Sequence, residues 1–479
     1  MVTDAYNEII AAAVVLLYVL ALVSTLEAIM QGRTSQGSIA WAISLLSIPP
    51  LAVPLYLVFG RNKFDGYREK REVIEAESRR LIQARKQSVE EHIIPTGPEA
   101  PYNASLLSLA RVPATTGNEV ELLIDGRATF DSILAGLQSA SRYILFQFYI
   151  IRDDELGRTL ARALQDRAKA GVDVYLLYDE VGSRGFHKTG MYKQLVMVGV
   201  KVAAFNTTQG RRNRFQLNFR NHRKIVAVDG RQAWVGGHNV GVEYLGMNPK
   251  IGHWRDTHAR IGGPAVMGVE LAFATDWHWA TQQSLNIEWS YAQPDSGCCD
   301  VLVFRSDPAS EYEEAGLMFH QCIVQARERL WIASPYFVPD RGIVSALQLA
   351  ALRGVDVRVL IPDDPDGPVV AMANWSYTSE LLSCGVKVYR YRNGFMHQKV
   401  LLMDDQMAGV GTANFDNRSF RLNFEITLLI HNSDFARQVA SMLEADMDVS
   451  DLVTAADLEN KPIWFPLAMG VARLFSPVL

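Results

Sequence analysis

The chain has 479 residues, and 49% hydrophobic against 21% charged residues excludes disorder; the length allows about three domains. A formal net charge of -5 argues against a protein whose main task is coating nucleic-acid backbones. Cys298, Cys299, Cys322 and Cys384 are too few for a disulfide scaffold and show no CxxC spacing, so reduced thiols and no zinc ribbon are expected.

From Ile9 to Leu26 the chain is uncharged and nearly all apolar, and a second uncharged run extends from Gly37 to Gly60. Each is long enough to cross a hydrocarbon core of about 30 Å as a helix. The polar connector Gln31–Gln36 suits a transmembrane helical hairpin over residues 1–60. Pro49, Pro50 and Pro54 predict a kink in the second run. A cleaved signal peptide is the rival reading of the first run. The lack of a basic leader and of a small-residue cleavage site, and the second span that follows, count against it. Arg61, Lys63, Arg68, Lys70, Arg71, Arg79, Arg80, Arg85 and Lys86 crowd the next stretch, whereas the connector holds only Arg33. The positive-inside rule therefore predicts that the amino terminus and everything after residue 60 are cytoplasmic. Interspersed glutamates make residues 61–110 a basic helix and linker that feels anionic headgroups.

The remaining chain repeats itself. Arg142-Tyr-Ile-Leu-Phe-Gln-Phe-Tyr149 has a counterpart in Arg329-Leu-Trp-Ile-Ala-Ser-Pro-Tyr336. Ala170-Gly-Val-Asp-Val174 answers Arg353-Gly-Val-Asp-Val357, and Gly199-Val-Lys-Val202 answers Gly385-Val-Lys-Val388. Strands alternating with helices predict an α/β fold with a mostly parallel sheet, in two domains spanning 111–285 and 286–479. Gly171 and Gly354 fit helix C-caps.

Each half then carries HxKxxxxDxxxxxxGxxN: His222, Lys224, Asp229, Gly236 and Asn239 in the first, His397, Lys399, Asp404, Gly411 and Asn414 in the second. A lone HxKxxxxD arises by chance in about three of every hundred chains this long; two extended copies do not. On an extended strand, His and Lys two residues apart share one face. Asp229-Gly230 and Asp404-Asp405 read as hairpin turns that bring each Asn near. A turn role for the two aspartates stands beside a catalytic one.

Two histidines, two lysines and two asparagines suit a phosphodiester. Lysine and asparagine donate to its non-bridging oxygens. One neutral histidine can attack phosphorus while the other, protonated, supplies the leaving alcohol. A lysine beside each histidine is poor company for a cation, so no metal is expected.

The doubled motif resembles the phospholipase D superfamily. The two apolar runs, the Phe59-Gly60-Arg61 exit and the paired halves resemble the bacterial cardiolipin synthases within it, over essentially the whole chain. The resemblance implies two pseudo-twofold-related phospholipase D-like α/β domains after the membrane hairpin. It implies a phosphatidyltransferase of the bacterial inner membrane that makes cardiolipin and glycerol from two phosphatidylglycerols, without a cofactor. It assigns a phosphohistidine to His222 and acid–base work to His397; the residues alone allow either order. It also implies an acidic residue orienting each histidine, Asp256 fitting the first half and Glu425 the second. His238 and His258 are not repeated and read as incidental. Arg211, Arg212, Arg214 and Arg220 form a basic loop beside the first motif, suited to a second lipid phosphate or to solvent. The tail Lys461–Phe475 is aromatic and apolar, suited to the membrane interface or to packing. The expected partners are phosphatidylglycerol, other phospholipids and the membrane, and not nucleic acid. Oligomeric state and the lipid donor stay open. A phospholipase D-type hydrolase, a nuclease of the same superfamily and a non-catalytic lipid binder are the alternatives.

Overall fold

The computed structural model describes residues 2–32, 34–60, 89–97, 100–205, 218–287, 289 and 297–478. The basic run from Arg61 to Lys86, and Arg211, Arg212 and Arg214, lie outside these residues. The chain divides into two compact units, one of Met1–Glu69 with Thr207–Phe219 and the other of Lys70–Asn206 with Arg220–Leu479.

In the first unit, helix Val2–Gln31 contains the apolar stretch Ala5–Gln31, long enough to cross a bilayer. The second apolar run departs from the expected single span. Helix Ser35–Ser47 starts at the Thr34 cap, where Oγ1 accepts from Gly37 N at 3.1 Å. It stops at Ile48, whose φ of -136° and ψ of 62° are not helical. The cause is local: prolines 49 and 50 lack N–H groups, and Pro49 excludes the helical conformation from its predecessor. A new helix, Pro49–Leu55, and one wide turn, Tyr56–Gly60, follow. Among the described residues, one helix is therefore long and apolar enough to span. The shorter pieces fold back on it, burying Ala21, Ala28, Leu45, Ala52, Val53 and Tyr56 together.

Among the described residues the second unit is built on one sixteen-stranded sheet, in which Ser450–Leu452 lies at one edge, Arg220–Asn221 pairs off the main path and the other fourteen strands form two halves. The first half supplies β1 (Thr115–Ile124), β2 (Tyr143–Phe148), β3 (Asp173–Asp179), β4 (Lys201–Phe205), β5 (Ile225–Val228), β6 (Gln232–Gly236) and β7 (Thr257–Gly262). The second supplies β8 (Cys299–Ser306), β9 (Arg329–Ala333), β10 (Asp356–Pro362), β11 (Lys387–Tyr391), β12 (Val400–Met403), β13 (Met407–Gly411) and β14 (Asn423–His431). Their order is β11-β10-β9-β12-β13-β14-β8-β1-β7-β6-β5-β2-β3-β4, two copies of one sequence of strands meeting head to head. A pseudo-twofold axis thus passes between β1 and β8, which pair antiparallel with Asn118 opposite Cys299.

The sheet is mixed, not mostly parallel. Among these fourteen strands, only those joined through a helix, β2-β3-β4 and β9-β10-β11, run parallel. The motif strands return through tight turns as antiparallel hairpins, β5-β6 and β12-β13. Alternation along β2 explains its burial on both faces. Ile144, Phe146 and Phe148 join Ile133 and Leu137 of helix Asp125–Ser139, and Leu156, Leu160 and Leu164 of helix Glu155–Lys169. On the opposite face, Tyr143 Oη donates to Glu270 at 2.7 Å and Gln147 Nε2 to Asp276 at 2.9 Å, both on helix Val266–Thr281.

Candidate active site

The motif aspartates lie at the hairpin turns, where their carboxylates bind backbone N–H groups and not the histidines. Asp229 has φ 54° and Gly230 66°, the left-handed pair that a tight hairpin needs. Its carboxylate accepts from the backbone N–H of Ser141, Arg142 and Tyr143 and from Ser141 Oγ, all within 2.9 Å. Asp404, at φ 52°, accepts likewise from the N–H groups of Arg327, Glu328 and Arg329. Each carboxylate pins the start of β2 or β9 to its motif hairpin.

The histidine segments precede β5 and β12 and are each zipped to the other half. Arg220-Asn221 pairs in parallel with Asn423-Phe424, and His222 N donates to Phe424 O at 3.0 Å. Phe395-Met396 pairs in parallel with Trp254-Arg255, and His397 N donates to Arg255 O at 2.8 Å. The strands so joined carry the two acids. Pairing is therefore crossed: His222 Nδ1 meets Glu425 at 3.0 Å, and His397 Nδ1 meets Asp256 at 2.7 Å. The expectation that each acid serves its own half gives way to this register.

The residue between each His and Lys faces away. Arg223 pairs with buried Asp276 at 2.7 Å and donates across to Ser306 O at 3.0 Å. Gln398 donates to Asp446 at 2.7 Å and accepts from Thr257 Oγ1 at 3.0 Å. The zippers are thus backed by satisfied buried polar groups.

Both lysines are buried against their histidines. Lys224 Nζ donates to His222 O at 2.6 Å, and Lys399 Nζ donates to His397 O and lies 2.9 Å from His397 Nδ1. Burial lowers Lys224 to about 7 and Lys399 to about 8, although Glu425 and Asp256 both favour the charged forms. Burial lowers His222 to about 4 against the pull of Glu425, and burial with the two ammonium groups drives His397 well down. Both shifts favour the neutral ring, and a carboxylate that accepts a hydrogen bond from Nδ1–H leaves the lone pair on Nε2. Glu425 itself is held low by His222, Lys224 and Thr412.

His222 and His397 open on one cleft of about 1020 Å³. Asn239 lines it, with Oδ1 accepting from Ile150 N at 3.1 Å and Nδ2 donating to Tyr244 Oη at 3.2 Å. Asn414 does not line it; its side chain hydrogen-bonds Asp416 instead. Among the described residues, no cluster of three or more His, Cys, Asp or Glu side chains is arranged to hold a metal.

Three donors behind Glu425 were missed from sequence: Thr412 Oγ1 at 2.6 Å, Ser419 Oγ at 3.0 Å and Asn423 Nδ2 at 3.0 Å. The first half has Gly237 where the second has Thr412, because a Cβ at Gly237 would fall 1.9 Å from Asp256 Oδ1. Tyr149 and Tyr336 were also missed. Both line the cleft, and the Tyr149 ring meets His222 edge-on at 5.1 Å. Their equal place at the end of the first repeated strand was the available signal.

The description "Cardiolipin synthase, PLD-like domain" matches twice, at residues 133–252 and 319–447. Cardiolipin synthase A of Pseudomonas entomophila is 46% identical over 483 residues, covering 97% of each chain. The chain belongs to the cardiolipin synthase family of phospholipase D-like enzymes. Another family member, cardiolipin synthase A of Pseudomonas putida, is 45% identical over 471 residues, again with 97% of each chain covered. Among solved structures, phosphatidylserine synthase of Haemophilus influenzae superposes with a TM-score of 0.58 at 16% identity, covering 78% of this chain and 98% of that one. That likeness places the paired α/β halves of the family on the same fold.

Proposed function

We propose that this enzyme transfers a phosphatidyl group from one phosphatidylglycerol to a second, giving cardiolipin and glycerol. The observation that carries the reading is the pair of histidines on one cleft, each held at Nδ1 by a carboxylate and flanked by a buried lysine. His222 Nε2 attacks phosphorus, the bond to the glycerol oxygen breaks, and His397 delivers a proton to that oxygen. Burial and the two neighbouring ammonium groups disfavour the charged His397 ring; the arriving phosphodiester anion offsets the ammonium groups and so favours the protonated ring as the donor binds. The glycerol hydroxyl of a second phosphatidylglycerol then gives its proton to His397 and attacks phosphorus. The phosphorus–nitrogen bond breaks and His222 is restored. Lys224, Lys399 and Asn239 hold the non-bridging oxygens throughout.

We propose further that residues 1–60 lie in the bacterial inner membrane as a hairpin, with the domains at 111–285 and 286–479 cytoplasmic. The apolar helix Ala5–Gln31 and the basic excess after residue 60 support this. The test is a product assay on full-length protein in vesicles with phosphatidylglycerol as the phospholipid. Cardiolipin with equimolar glycerol, lost in His397→Ala, is the expected result. Phosphatidic acid without cardiolipin would overturn transfer in favour of hydrolysis.

A further inference from the structure

The final helix carries a surface that the reaction does not use. Between Lys461 and Pro477 there is no Asp or Glu, and the only charges are Lys461 and Arg473. Helix Phe465–Leu474 has one packed face. Phe465 meets Trp375 edge-on at 5.9 Å, and Arg473 lies 4.7 Å over Tyr377 and pairs with Glu380 at 2.6 Å, all on helix Pro368–Leu382. The other face is bare: Leu467 is 72% and Leu474 79% exposed, with Trp464 and Val471 open beside them. Positions 464, 467, 471 and 474 form one helical stripe, and Ile463, 98% exposed, extends it. Helix Pro368–Leu382 begins directly after Asp363–Gly367, which line the cleft. One helix therefore ties the stripe to the cleft wall.

We infer that this stripe is an interfacial membrane contact of the catalytic unit, seated in the headgroup layer of an anionic bilayer. Composition selects the occupant: Arg473 is spent on Glu380, but the segment holds no acid, Lys461 stands half-exposed over Trp375 at its start and Trp464 lies on the bare stripe, which suits anionic lipid, also what the cleft consumes on the transferase reading that this inference rests on. A ten-residue helix is too short for the several heptads that a paired coiled coil uses. The contact holds the cleft at the lipid surface, so a headgroup reaches His222 with its acyl chains still in the membrane.

The test uses full-length protein in phosphatidylglycerol-containing vesicles, with Cys298→Ser and Cys384→Ser removing the two thiols that are not fully buried. A nitroxide on Leu467→Cys or Leu474→Cys is expected to meet oxygen more readily than a water-soluble nickel chelate. Water-like accessibility at both sites overturns the inference, and so does spin–spin broadening, which would give the stripe to a second copy. The double variant Leu467→Glu/Leu474→Glu is expected to lose about tenfold or more of its cardiolipin synthesis from vesicle lipid. Its rate on short-chain phosphatidylglycerol in detergent is expected to stay within about twofold of the parent. Equal loss in both assays would make the stripe part of the fold alone, and no loss in either would make it idle; both results overturn the contact. Cardiolipin formed by the parent in detergent keeps the transferase reading separate from this one.

Discussion

Glu425→Gln removes one charge and almost no volume from the wall behind His222. The carboxylate accepts from His222 Nδ1, Thr412, Ser419 and Asn423. An amide oxygen keeps part of the neutral set but cannot answer the positive charge that builds on the ring when Nε2 bonds to phosphorus. A hydrogen bond to a buried charge contributes about 1.5–3 kcal/mol, which is about 10- to 150-fold in rate. The same change lowers Lys224 further from about 7, because Glu425 is the largest influence favouring its charged form. Together these effects predict a fall in kcat of about 100-fold or more, with KM changed far less. The assay is steady-state cardiolipin formation from labelled phosphatidylglycerol in mixed micelles at pH 6.5, with a melting curve on the same preparation. A folded variant that keeps kcat within about threefold would refute the crossed histidine–carboxylate pairing as a working part of the site.

Three further outcomes are expected. As pH rises, kcat/KM falls through the window set by Lys224 at about 7 and Lys399 at about 8, since each loses its cation above its lowered pKa; His222, at about 4, imposes no loss between pH 7 and 5. A flat profile from pH 6 to 9 would contradict this. Gly237→Ala puts a methyl group 1.9 Å from Asp256 Oδ1, so turnover drops by about 100-fold or more as the carboxylate leaves His397, whereas full activity would show that Asp256 is not needed there. Asp229→Ala strands donors at Ser141, Arg142 and Tyr143 and costs about 2–4 kcal/mol of stability, read by denaturant melts. Its folded fraction is expected to retain near-parental kcat, and a large loss of kcat without loss of stability would restore Asp229 to the chemistry.

The repeat was legible because identical spacing imposes identical local structure: the Gly-Val-Asp-Val strings became β3 and β10, and each HxK segment leads into a hairpin. What faced the histidines was not legible. Asp256 and Glu425 could be chosen as carboxylates near strand ends, but which histidine each meets depends on strand pairing between halves more than a hundred residues apart. Parallel pairing was over-extended from the helix-linked strands to the motif hairpins, where Asp229 and Gly230 demanded reversal. In the second apolar run the prolines promised a bend, and the chain answered with a full break at Ile48, since two adjacent residues without N–H groups interrupt a helix more thoroughly than one.

The crossed zippers bear on separability. Neither half expressed alone can hold its own imidazole in register, since the carboxylate it needs belongs to the other half. Two identical halves meeting about a twofold would satisfy both rings in the same way, each lending its carboxylate to the other. Within one chain the two copies need not match. One side could lengthen its acid to Glu425 and buttress it with Thr412, while the other kept the shorter Asp256 behind a glycine. That freedom permits the two rings to take different parts in the proposed transfer.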